Sequence, residues 1–294
     1  MPTLNRRWWR PVSDYAERQI ESFLYTDEMG PEVFLGPPGE PALVPSDGVN
    51  ARIYAVPLTV YIGGITAVIL ELAEPRVRHG VWDHSVFPTD PLLRLRRTGL
   101  AAMVTFYGAA SVARRMIAEV NTKHAAVRGS TDCGQTYRAL DPDLLTWVQA
   151  TAAYGFIRAY DAYTERLTEA DWDQALAEAE PVARCYGVKK PPTSKAALDQ
   201  LLAVTAPRLE TSQTLTDFLR IMRETPTLPS PGRMLQPLLV RAAIGLLPEP
   251  MIDHLGLGPQ RATAVEHQVV RGLVQCSRFV SLRNHPSALA ALRV

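Results

Sequence analysis

The sequence predicts an all-α fold. Segments rich in Ala, Leu, Arg and Glu dominate it, strand signals are scarce, and clusters of Pro and Gly that stop helices separate the segments. Of 294 residues, 47% are hydrophobic, enough for a large core. We expect a helix and a Pro/Gly-rich segment over 1–46, packed on one helical domain of about ten helices over 47–294.

Helices are expected at 13–28, 47–56, 58–73, 89–107, 111–127, 141–166, 168–186, 194–207, 213–224, 233–246 and 260–284. The apolar stretch Leu58–Ala73 has 16 residues and contains Gly63, Gly64 and Glu71. It falls short of the roughly 20 residues of a membrane span, so a buried core helix is expected. Several starts carry capping residues: Thr89 before Asp90-Pro91, Asp141 before Pro142, and Thr168-Glu169-Ala170-Asp171, which has the form of a capping box with Asp in place of Glu. Between helices, Gly36-Pro37-Pro38-Gly39 begins a loop reaching Pro45. Gly129 to Gly134 is polar and small, Lys189 to Thr193 is a Pro-Pro linker, and Pro226 to Gly232 holds three prolines.

Composition narrows function. Lys and Arg number 31 against 30 Asp and Glu, a net charge of +1. That is not the electrostatic footprint of a nucleic-acid binder, nor a reason for recruitment to anionic membranes. Cys133, Cys185 and Cys276 are far apart and form no CxxC, so neither a zinc ribbon nor a disulfide scaffold is indicated, and a reducing, cytoplasmic setting is expected. Met1 to Arg10 lacks the apolar core of a signal peptide. No GxGxxG, Walker or G-x-S-x-G motif is present.

The chemistry concentrates between Leu58 and Gly129, which holds His79, His84 and His124. Arg94, Arg97 and Thr98 are spaced i, i+3 and i+4, on one helical face. His124 has Ile117, Val120 and Val127 at i−7, i−4 and i+3, so it emerges from an apolar face. Such a histidine is either a core residue satisfied by a carbonyl or carboxylate, or an iron ligand with a flat macrocycle against the stripe. His79 and His84 alone span about 140° around a helix and make a poor metal pair. Tyr154, Phe156, Tyr160 and Tyr163 read as core packing first and a pocket wall second.

Four runs together carry a resemblance: Arg94-Leu95-Arg96-Arg97-Thr98, Phe106-Tyr107-Gly108, His124-Ala125-Ala126-Val127-Arg128-Gly129, and Tyr137 to Val148. The chain resembles the MpaB-type oxygenase family, which is similar to the catalytic domain of latex clearing protein, the rubber-cleaving oxygenase. The resemblance implies a helical fold around haem b with His124 as proximal iron ligand, and with Arg94, Arg97 and Thr98 on the distal side. It makes His84 a pocket residue. On the haem reading the stripe of Ile117, Val120 and Val127 lies against the macrocycle, and of the basic cluster Arg114, Arg115, Lys123 and Arg128, a solvated face by default, one or two, such as Arg128, pair with propionates. Expected partners are a hydrophobic organic substrate and dioxygen.

Three departures qualify this. Arg97 stands where latex clearing proteins have Lys; a guanidinium stays protonated and offers no lone pair to iron, so it would donate hydrogen bonds instead. Glu74 and Gln149 stand where the family usually has histidines, and Gln149 cannot shuttle protons near neutral pH. A non-catalytic haem carrier or sensor, and an interaction protein that has lost haem, therefore remain as alternatives to an oxygenase.

The haem reading carries a geometric requirement. Thr98 and His124 are 26 residues apart, about 39 Å along one straight helix. The chain must reverse between them, and Gly108 followed by Ser111 offers a helix stop and a new cap.

Overall fold

The computed structural model describes residues 29–228, 232–280 and 282–294, together with residues 14, 15, 17, 18, 21, 24 and 25. Within the expected helix 13–28, residues 14, 15, 17, 18, 21 and 24 are helical; apart from residue 25, the others lie outside the described residues. The all-α expectation holds: the described residues form fourteen α-helices, a few 3-10 turns and one small hairpin.

The first three helices are α1 (Val49–Tyr54), α2 (Pro57–Ala73) and α3 (Pro75–Trp82). A distant carboxylate caps α1: Glu178 accepts the backbone N–H groups of Val49 and Asn50 at 3.1 and 3.0 Å. Helix α2 is apolar nearly all round. Ile62, Ile69 and Leu70 are wholly buried, as the sequence predicts for a core helix. Its partner is α6 (Pro142–Tyr163). The two run antiparallel, since Gly63 meets Gly155 while Leu70, further along α2, accepts the Trp147 indole N–H at 3.3 Å. A Cβ on Gly63 would lie 2.7 Å from the Gly155 carbonyl oxygen, and one on Gly155 would collide with the Gly63 carbonyl. Backbone therefore meets backbone at the crossing, and only glycine fits at either place. Helix α3 leaves α2 at 110°. Glu74 starts it, accepting Val77 N–H at 2.9 Å while pairing with Arg76 at 2.9 Å. This helix is absent from the sequence expectation, because its polar Arg-Val-Arg-His-Gly run lacks an apolar stripe.

Helices α4 (Pro91–Tyr107) and α5 (Ala110–Ala125) are the arms of a helical hairpin. The break falls at Gly108, as expected, but for a different reason. Its φ of −63° and ψ of 154° are open to any residue. A Cβ there, however, would sit 2.6 Å from the Val104 carbonyl oxygen. Ser111 does not cap α5. Its N–H and hydroxyl instead donate to the Glu40 carboxylate, at 2.6 and 2.8 Å. The cap of α4 is Asp90, whose side chain accepts Leu93 N–H, rather than Thr89.

After α5 the expected polar loop is a two-stranded antiparallel hairpin, β1 (Arg128–Ser130) and β2 (Thr136–Arg138). Helix α7 (Glu169–Glu178) opens with the expected Thr168/Asp171 capping box, and Pro181 begins a separate α8 (Glu180–Cys185). The rest of the bundle is α9 (Lys195–Thr205), α10 (Gln213–Glu224), α11 (Gln236–Ile244), α12 (Glu249–His254), α13 (Ala264–Ser277) and α14 (Pro286–Arg293). Sequence patterning passed over α12 and α14, which are too short for a clear period. One continuous apolar cluster runs from Leu24 to Ala290. Among the described residues no single helix is long and apolar enough to cross a membrane.

Candidate active site

Four helices converge on Arg94, near the start of α4. From there to the break at Gly108 is 14 residues, and from Ala110 to His124 another 14, so each arm is about 21 Å long. The Arg94 guanidinium nonetheless lies close enough to His124 to help depress its pKa. The arms thus fold back on each other, which meets the geometric requirement derived from the sequence.

His124 is half-buried. Burial, and then the positive charge of Arg94, push its pKa below the usual histidine value and favour the neutral ring. Its Nδ1 is buried and has no hydrogen-bond partner. A buried unpaired ring nitrogen is costly, by roughly 1–3 kcal/mol. Of the apolar residues expected around it, Ile117 is fully buried, while Val120 and Val127 are half-buried.

Opposite Arg94, on α2, is Glu71. Burial raises its carboxyl to about 7, against the opposing pull of Arg94 and of a 3.4 Å hydrogen bond from the Thr151 hydroxyl on α6. Burial also lowers Arg94, which Glu71 partly offsets. A carboxyl near neutrality beside a guanidinium and an unpaired imidazole is a concentration of perturbed groups of the kind that functional sites carry. Sequence reasoning missed Glu71 as a site residue. The available signal was an acid inside a 16-residue apolar run, a residue that is seldom buried without a task.

The other expected residues are more exposed: Arg97 is close enough to Arg94 for its charge to depress the Arg94 pKa. Arg97 and Thr98 are exposed, and the Thr98 hydroxyl donates to its own helix at the Arg94 carbonyl, 2.8 Å away. His84 is exposed at the end of α3, its Nε2 3.3 Å from the Tyr137 hydroxyl. Arg128 is exposed on β1, opposite Arg138. Glu74, in place of a family histidine, is the buried helix cap already described. Gln149, in place of the other, is half-buried on α6.

Haem asks one imidazole of the protein, whereas a bare ion asks for several ligands. Among the described residues no three His, Cys, Asp or Glu side chains gather into such a group. The lone, neutral, unpaired His124 is the donor set that haem requires.

The family model described as "ER-bound oxygenase mpaB/B'/Rubber oxygenase, catalytic domain" matches residues 51–279. Two curated relatives are uncharacterised proteins, one of Mycobacterium bovis and one of Mycobacterium tuberculosis. Each is 26% identical over 172 residues, covering 56% of this chain and 68% of the relative. No solved structure matches.

Proposed function

Because the chain belongs to the family of mpaB-type and rubber oxygenase catalytic domains, we propose that it is a haem b-dependent oxygenase acting on a hydrophobic organic substrate with dioxygen. The observation that carries this reading is the buried, unpaired Nδ1 of a neutral His124 on the hairpin arm facing Arg94.

In this reading His124 holds the iron, and Ile117, Val120 and Val127 form the apolar wall on its side. The haem supplies the redox chemistry; the protein supplies ligation, charge and access. Arg94 sets a fixed positive field over the site in a poorly solvated place, where charge acts most strongly. Arg97 and Thr98 lie on the exposed part of the same helix, on the face that carries Arg94. Glu71 is the group able to take up or give a proton near neutral pH, with Thr151 donating to its Oε1. It thereby fills the titrating role that Gln149 cannot. The apolar side chains of Ile117, Val120 and Val127 suit an uncharged substrate, polymer or small molecule.

The test is an absorption spectrum of the full chain produced with ample haem. A Soret band that disappears in His124→Ala is the expected result. Full haem loading in that variant would falsify the ligand assignment. Colourless wild-type protein after haem addition would overturn the haem reading altogether.

A further inference from the structure

The outward face of the β1–β2 hairpin concentrates cationic and hydroxyl donors, of which the oxygenase reading has a use for Arg128 alone, as a propionate partner. The strands pair Arg128 with Arg138 and Ser130 with Thr136. Ladder bonds flank these pairs: Ala139 N–H donates to Val127 O at 3.0 Å, and Thr131 N–H to Gln135 O at 2.8 Å. In an antiparallel ladder the bonded pairs alternate with non-bonded ones. Both the Arg pair and the hydroxyl pair therefore occupy non-bonded positions, where opposing side chains stand closest. The two-residue period puts all four on one face. All four are exposed, while Tyr137, on the other face, is buried against Gly80 of α3.

Two arginines directly opposite each other repel. Among the described residues no ion pair or side-chain hydrogen bond engages either guanidinium. They border a depression of about 460 Å³, together with Ser130, Thr136 and Asp141. Asp141 is already occupied, its Oδ2 accepting the Arg138 N–H at 2.9 Å. Two positive charges and one negative leave the depression cationic. Its donors are two planar forks and two hydroxyls, more than one carboxylate can accept and well suited to a tetrahedral oxyanion.

We propose that this face binds a phosphoryl group, which neutralises the Arg128–Arg138 pair and accepts from Ser130 and Thr136. The group is either free phosphate or the headgroup of a phospholipid. None of Glu71, Arg94 or His124 borders the site, so Arg128 is the one residue it shares with the haem reading.

The test uses the full chain in low salt, titrated with inorganic phosphate against chloride at matched ionic strength, by calorimetry and thermal unfolding. Phosphate is expected to raise Tm, and Arg128→Gln/Arg138→Gln to weaken binding at least tenfold. Without phosphate the double variant should melt no lower than wild type, since the repulsion is gone; a structural role would make it melt lower. The single Arg128→Gln variant should bind with intermediate affinity. Sedimentation with phosphatidylcholine vesicles containing phosphatidic acid separates the sources. Binding that needs both arginines identifies a lipid phosphate, and phosphate binding without vesicle binding identifies a soluble one. Three results would overturn the proposal: equal phosphate stabilisation of wild type and double variant, a lower Tm in the phosphate-free double variant, or loss of haem uptake in it, which would return Arg128 to the cofactor.

Discussion

The molecule treats its histidines in two ways. In the second half of the chain each has a partner. His254 Nε2 meets the Leu209 carbonyl at 2.6 Å, His267 Nδ1 meets the Tyr163 hydroxyl at 2.6 Å, and His285 Nδ1 meets the Ser287 hydroxyl at 2.9 Å. In the first half, at the meeting of α2, α4, α5 and α6, His124 Nδ1 has none, and Glu71 is held near neutrality. A satisfied buried imidazole ties elements together. An unsatisfied one beside a guanidinium costs stability with no structural return, a cost that the oxygenase reading assigns to a ligand.

This contrast can be broken most decisively by substitution of the histidines. His124→Ala is expected to lose all haem absorbance, while its haem-free fold is as stable as wild type or more so. His267→Ala should keep haem but unfold at lower denaturant, by about 1–3 kcal/mol, because Tyr163 loses its partner. Paired absorption spectra and urea melts read both; the reverse pattern would dissolve the distinction.

The acid limb gives the next largest effect. Burial holds His285 near 4. The ring is neutral in the folded protein, and protonation favours the unfolded chain, where the pKa is ordinary. Stability is therefore complete above about 6.5 and falls as pH drops through about 4, by roughly 3 kcal/mol at the full shift. Urea melts between pH 7 and 4 should show this, and His285→Asn should flatten it.

Glu71 works with the opposite sign. Its raised pKa means that the folded state holds the proton more tightly than the unfolded one. Its contribution is best below the unfolded value and is lost as pH rises through about 7. Glu71→Gln is expected to melt with wild type near pH 4.5 and to be more stable at pH 8, by about 1–3 kcal/mol. Under the oxygenase reading it also removes the alkaline or acid limb that Glu71 gives to turnover. The smallest effect belongs to Thr98→Val. Its hydroxyl bonds only its own helix, so stability should change by less than about 0.5 kcal/mol, and haem loading by nothing measurable.

Much of this was legible from the residues. Helix α10 spans the expected 213–224, the Thr168 box forms as written, and the reversal sits at Gly108. These depend on local propensity and on chain length, which a sequence carries directly. What escaped depends on distant chain. Glu71 acquires its character only when Arg94 and Thr151, 23 and 80 residues away, close around it. The hairpin hid behind small polar residues that also spell a loop. The Glu40 carboxylate that receives Ser111 is 71 residues upstream, beyond the reach of any capping motif.

At the crossing of α2 and α6 nothing softer than main chain separates the two rods, so neither can slip along the other or rotate without driving a Cβ into a carbonyl. Thr151 lies one turn from Gly155, and Glu71 two turns from Gly63, on the same side of one locked joint. The proton-bearing wall of the site is thus clamped by a contact that no rotamer can relax. Under the oxygenase reading, change in what the site accepts is expected from the hairpin arms α4 and α5, which carry no such backbone-to-backbone contact with α2 or α6 among the described glycines.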